Sequence, residues 1–280
     1  MSSIAIVTDS SSDLPADEAA RLKIAVVPLT IRFGSDEFVD RADLTAEEFW
    51  ARCKTAPALP ETAAPSPGAF QEAFQAAKDA GADGVVCLTI SSKLSATYQS
   101  ALAAASSMAP FPVEVIDSLT VTLPLGLLTL VAAEAAAEGD TLDDVLAKTA
   151  DAQRRLHVVF TIDTLEHLKK GGRIGGAKAL LGSMLSIKPI LTLQDGVVHE
   201  EGRQRTRAKS LDHLVVTATA GAPFERLAVV HGDASADAAT VAGKLAGLDC
   251  ASPVIMADIG PVVGTHAGPG VIGVCWITRS

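Results

Sequence analysis

Short β-branched runs alternate with longer alanine-rich, helix-patterned stretches through the first half of the chain: Ile4 to Val7, Ile24 to Leu29, Val85 to Ile90 and Val113 to Ile116. Such a rhythm predicts a mostly parallel sheet covered by helices. Strands buried on both faces are continuously apolar, as Val85-Val86-Cys87-Leu88 is. Polar clusters follow at Thr8 to Ser12, Thr89 to Ser95 and Asp117 to Thr122, at strand carboxyl ends, where open α/β sheets place their ligands. Ser66-Pro67 puts a capping serine before a proline at the first position of a helix running to Ala80, and Gly81 ends it. The apolar run Leu123 to Ala133 contains Pro124, Gly126 and Thr129 and stops at Glu134. It falls short of the roughly 20 residues a bilayer requires and predicts a buried helix.

The second half is patterned differently. Ile187 to Leu193, a turn at Gln194-Asp195-Gly196, and Val197-Val198 predict a hairpin. Val158 to Ile162, Leu227 to His231, Val254 to Met256 and Val271 to Ile277 add further apolar runs. The expected fold is α/β, with two α/β domains: residues 1–155 with a mostly parallel sheet and residues 156–280 with a mixed sheet. No Pro/Gly/Ser linker separates them, so they are expected to pack face to face around a ligand cleft.

Composition narrows the function classes. The 280 residues carry a formal net charge of -10, which opposes nucleic-acid binding and adsorption to anionic membranes, since both need a clustered positive surface. Neither a nucleic-acid partner nor stable membrane insertion is expected. Cys53, Cys87, Cys250 and Cys275 form no C-x-x-C pair and read as free thiols of a reducing compartment. The first residues lack a basic region before their apolar stretch, so the expected location is cytoplasmic. His157, His167, His199, His213 and His231 stand without a second ligand at metal-binding spacing, so no metal is expected.

Familiar catalytic signatures are missing: no G-x-S-x-G, no H-E-x-x-H and no intact P-loop occurs. GGRIGGAK, from Gly171 to Lys178, has an alanine between its last glycine and its lysine, and the G-x-G-x-x-G at Gly268 to Gly273 precedes a strand instead of following one. What remains is a set of hydroxyl-rich and glycine-rich loops. Thr62 lies in ETAAPSPG just before a helix start, Ser91, Ser92 and Ser95 follow the strongest strand, and His266 sits among small residues in GPVVGTHAGPG. The first two loops, each taken alone, read as ordinary capping, while the small residues beside His266 allow close backbone approach. Together they supply several neutral donors and one titratable donor, which suits recognition of an anion. A carboxylate on an apolar tail is compatible with that set, although composition alone does not establish it. Two other readings stand beside it. One is an acyl-transfer enzyme or esterase with Ser95 as nucleophile and His266 as base, which lacks an orienting acid. The other is a nucleotide-binding α/β module, prompted by the glycine-rich segments.

Six ordered segments carry a resemblance. IVTDSSSDLP at 6–15, TAAPSPG at 62–68, ISSKLSATYQSA at 90–101, DTLEHLKKGGRIG at 163–175, KPIL at 188–191 and GPVVGTHAGPG at 260–270 make the chain similar to the DegV family from end to end. The resemblance implies two α/β domains with a long-chain fatty acid between them, its carboxylate held by hydroxyls that fall by position on Thr62 and Ser95. His266 would help hold or poise that carboxylate, while Asp9, Ser10, Ser92, Gly264 and Thr265 would support the cleft. It implies a carrier without catalytic residues or cofactor, presenting the acid to a partner fatty acid kinase that makes the acyl-phosphate from ATP. Arg173 and Arg205 would be the basic groups at the entrance, facing a phosphate or an acidic partner surface. The chain departs from the family pattern at Ala63 and Ala64, where serine and glutamine are usual, at Ala96 in place of a glycine, and at Leu123-Pro124. Fewer head-group contacts and a different chain-length preference are the expected effects.

Overall fold

The computed structural model describes residues 3–182 and 187–280. Its first half runs β1 (Ile4–Asp9), α1 (Ala16–Arg21), β2 (Ala25–Val27), β3 (Thr30–Phe33), β4 (Asp36–Val39), α2 (Ala46–Thr55), β5 (Glu61–Ala63), α3 (Pro67–Asp79), β6 (Gly84–Thr89), α4 (Thr97–Ser107), β7 (Val113–Asp117), α5 (Leu123–Ala137) and α6 (Leu142–Arg155). The second runs β8 (Leu156–Thr161), α7 (Glu166–Lys170), β9 (Lys188–Gln194), β10 (Val197–Gln204), α8 (Arg207–Thr219), β11 (Phe224–His231), α9 (Ser235–Leu245), β12 (Ile255–Asp258), α10 (Pro261–Ala267) and β13 (Ile272–Thr278).

Among the described residues, β2-β1-β6-β7 form one sheet, parallel throughout. β6 is buried along its whole length, as a continuously apolar strand between two helical layers must be. A second sheet has the order β10-β9-β8-β13-β11-β12; only β11 and β12 pair in parallel, so it is mixed. The β9–β10 hairpin turns through Asp195 (φ 50) and Gly196 (φ 83), two left-handed residues that match the twist of the strands. The chain passes from one sheet to the other at Arg155 and Leu156, where α6 ends and β8 begins.

α5 is the helix the two sheets share. From Leu123 to Leu130 it is buried on every side, and it touches β1 and β6 of one sheet and β8, β11 and β13 of the other. A helix apolar all round finds no place at a surface. Gly126 lets it approach the turn after β1: a Cβ there would lie 2.8 Å from the Ser12 carbonyl oxygen. Ser66 caps α3 by accepting from Ala69 N–H, and Gly81 follows that helix at φ 88. No helix among the described residues is long and apolar enough to cross a membrane.

A small antiparallel sheet, β4-β3-β5, went unread in the sequence. Its strands have three or four residues, too few to show a period. The predicted strand Ile24 to Leu29 divides at Pro28, which carries no N–H for a ladder: β2 ends at Val27 and β3 opens at Thr30. Ile31 of β3 packs with Leu44, Phe49 and Trp50 of the first half and Val262 of α10. This core fixes β5, and with it Thr62, against α10.

Candidate functional site

Both halves line an apolar cavity of about 860 Å³ of unfilled space, counting its open mouth. Ile90, Leu94 and Val121 come from the first half; Phe160, Leu168 and Val230 come from the second. Thr62, Ser95, Thr122, Arg173 and His266 are its polar lining residues.

Thr62 and His266 meet although 204 positions separate them: Thr62 Oγ1 lies 2.9 Å from His266 Nε2. His266 stands in the last turn of α10. Burial, then the Arg173 cation, then His167 push its pKa down from 6.5 to about 4. The ring is therefore neutral at neutral pH, and the stronger hold of a charged imidazole does not operate here. Its Nδ1 is enclosed without a hydrogen-bond partner among the described residues and abuts Gly171, where a Cβ would come within 2.3 Å. A buried N–H without an acceptor is costlier to leave than a bare lone pair, which places the proton on Nε2. His266 then donates to Thr62 Oγ1, and the Thr62 hydroxyl keeps its own proton for whatever enters the cavity.

Ser95 lies in the loop between β6 and α4. Its hydroxyl is 2.9 Å from Thr97 Oγ1 and accepts from Thr97 N–H at 3.3 Å. Arg173 ties this loop to the turn beneath His266: its Nε donates to the Leu94 carbonyl at 3.0 Å and a terminal nitrogen donates to the Gly171 carbonyl. Ser91 adds a second tie, donating to the Gly196 carbonyl at the tip of the β9–β10 hairpin at 2.8 Å.

Thr62, Arg173 and His266 also border a second, polar cleft, lined further by Pro57 to Glu61, His167, Lys170, Gly171 and Thr265. They thus stand where apolar tunnel and open cleft meet. His167 is held by its Nδ1–H donating to the Thr265 carbonyl at 3.1 Å. The sequence gives no sign that Lys170 and His167 face this cleft: Lys170 pairs with Glu166 four residues earlier, as an ordinary surface lysine does, and His167 has no metal-binding spacing.

The other candidate residues hold the loops behind the site. Asp9 is fully buried and accepts from Ser11 N–H at 3.0 Å, the Ser11 hydroxyl, and Ile90 N–H at 2.8 Å. Burial raises its pKa to about 6 against those bonds. Ser10 Oγ accepts from Leu29 N–H at 3.0 Å, and Ser92 N–H donates to Asp117 at 3.0 Å. Thr265 donates to the Pro261 carbonyl within α10, and Gly264 makes room for Phe49 and Trp50. Arg205 is exposed on the bend between β10 and α8 and borders neither cavity. Among the described residues no cluster of histidine, cysteine or acidic side chains has the makings of a metal site.

The family model described as an uncharacterised protein of the DegV family matches residues 3–279. A DegV domain-containing protein of Streptomyces coelicolor is 35% identical over 281 residues, covering 99% of each chain. Among solved structures, a fatty-acid-binding DegV family protein from Thermus thermophilus superposes with a TM-score of 0.92 at 35% identity, over 99% of each chain. Bacillus subtilis DegV, described as a fatty acid binding protein, superposes with a TM-score of 0.88 at 29% identity over 100% of each chain.

Proposed function

The chain belongs to the DegV family, and on that footing we propose that it binds a long-chain fatty acid with the carboxylate at Thr62 and Ser95. The observation that carries this reading is the chemistry of the cavity: one polar end, where His266 orients the Thr62 hydroxyl, on an otherwise apolar tunnel. Hydroxyl donors suit a carboxylate head, and the apolar walls suit an acyl tail. The fatty-acid-binding relatives from Thermus thermophilus and Bacillus subtilis support the ligand class.

The same reading makes this protein a carrier for a fatty acid kinase. The head group would stand at the junction with the polar cleft, where Lys170 and Arg173 border the approach. A phosphoryl donor held by a partner could reach the carboxylate there while the tail stays in place. Residues 1–155 and 156–280 are taken as two domains, supported by the change of sheet between Arg155 and Leu156. The esterase reading fares less well on geometry. Ser95 is hydrogen-bonded to Thr97 and His266 to Thr62, and among the described residues no carboxylate lines the cavity.

Denaturing extraction of the purified protein followed by mass spectrometry tests the proposal. A stoichiometric fatty acid is the expected result. Lipid-free protein that also fails to take up added palmitate or oleate at micromolar concentration would overturn it.

A further inference from the structure

The helix that carries His266 lacks a capping side chain of its own: the residue before α10 is Gly260, and Pro261 opens its first turn. The Gly260 N–H instead donates to Oδ1 of Asp13, 3.0 Å away and 247 positions earlier in the chain. Asp13 is buried, and its other side-chain partners also donate to it: the Arg41 guanidinium at 2.8 Å and the Thr122 hydroxyl at 2.6 Å. Burial raises the Asp13 pKa and Arg41 opposes that rise, while donors on every side make the group a fixed acceptor. Gly260 is what admits the carboxylate, since a Cβ there would lie 2.8 Å from Oδ1.

A helix of seven residues has little stability of its own, so contacts at its ends set its start and direction. His266 rides in the last turn, and its 2.9 Å contact with Thr62 leaves little room, because hydrogen bonds weaken steeply once distance and angle drift. Asp13 also holds Thr122, which lines the apolar cavity at the start of α5. One carboxylate from the first half therefore fixes two walls of the tunnel.

We propose that Asp13 is a positioning residue for the head-group site: its buried carboxylate anchors the Gly260 N–H at the start of α10 and so determines where His266 meets Thr62. The purpose of the site rests on the acyl-binding reading, whereas the placement of His266 does not.

The test uses delipidated full-length protein with 15N-labelled histidine, comparing wild type with Asp13→Ala, Asp13→Asn, Gly260→Ala and Ser66→Ala. In the wild type His266 is expected to stay neutral down to about pH 4. Asp13→Ala and Gly260→Ala should move that titration up toward 6.5 as water reaches the ring, and weaken oleate binding about tenfold. Asp13→Asn keeps an oxygen for the Gly260 N–H and should restore most of both. Ser66→Ala removes the cap of α3 at a residue that lines neither cavity, and should lower the melting temperature while leaving His266 unchanged. The proposal is overturned if Asp13→Ala lowers the melting temperature yet His266 titrates as in the wild type, or if Asp13→Asn is as impaired as Asp13→Ala. Gly260→Ala decides the matter should Asp13→Ala fail to fold. The titration reads the same whether or not an acyl chain enters, so failure of the acyl-binding reading would leave it standing.

Discussion

In the proposed site Thr62 would act through a proton it does not give away: with His266 donating to its oxygen, its own hydroxyl hydrogen is left for the carboxylate. Thr62→Ala should therefore weaken fatty-acid binding by roughly 1.5–3 kcal/mol, about ten- to hundredfold, the cost of one hydrogen bond to a charged group. Isothermal titration with oleate measures this, and a wild-type affinity would remove Thr62 from the site. Asp40 offers a second prediction. Among the described residues neither of its carboxyl oxygens has a hydrogen-bond partner at normal distance. Burial raises its pKa to about 7 despite the nearby Ser10 hydroxyl and Arg41, with Asp13 and Asp9 adding to the rise. A raised acid in the fold contributes stability that is full below its ordinary 3.8 and is lost as pH rises through about 7. The melting temperature of the wild type relative to Asp40→Asn should fall as pH rises from about 5 to 8. His266, whose pKa is lowered, runs the other way: its contribution is present above 6.5 and is lost as pH falls through about 4.

At the scale of elements, α7 and α10 meet through Gly171 and His266. The Gly171 backbone is ordinary for any residue, φ -73 and ψ -7, so Gly171→Ala introduces no backbone strain. Its Cβ would nevertheless lie 2.3 Å from His266 Nδ1 and push the ring off Thr62. We expect this substitution to weaken acyl binding about tenfold or more with helix content unchanged, read by titration and circular dichroism. What the sequence revealed divides along the same lines. β1 and β6 were legible because buried parallel strands are written as unbroken apolar runs, β7 at the sheet edge because Val113, Val115 and Ile116 are β-branched, and the hairpin at Asp195-Gly196 because its turn demands those residues. β3, β4 and β5 were not, since pairing and a core shared with α10 hold them more than their own pattern does. The segment around Thr62 looked like a helix cap, yet Ser66 does the capping and Thr62 lies in a strand. Its partnership with His266 has no local signature: the loops offered both residues as anion donors, and the resemblance of whole segments added their shared role at a carboxylate.

For the whole molecule, the two sheets are joined through α5 and through the contact of Phe49 and Trp50 with α10. Halves that share a core cannot melt independently. Calorimetry should show one transition, with the calorimetric and van't Hoff enthalpies in agreement. Fatty acid that binds only the folded state should raise that transition, by about 2.7 kcal/mol of stability at a free concentration 100 times Kd. Thr62→Ala should show a smaller rise at the same concentration.

The burial of α5 on all sides from Leu123 to Leu130 also has a consequence for how the protein is made. Synthesis completes residues 1–155 before the strands that cover the far face of that helix exist, so a nascent chain presents a bare leucine-rich surface at that stage. A fragment ending at Arg155 keeps that surface permanently and should aggregate or recruit a chaperone, whereas co-expression with residues 156–280 should rescue its solubility.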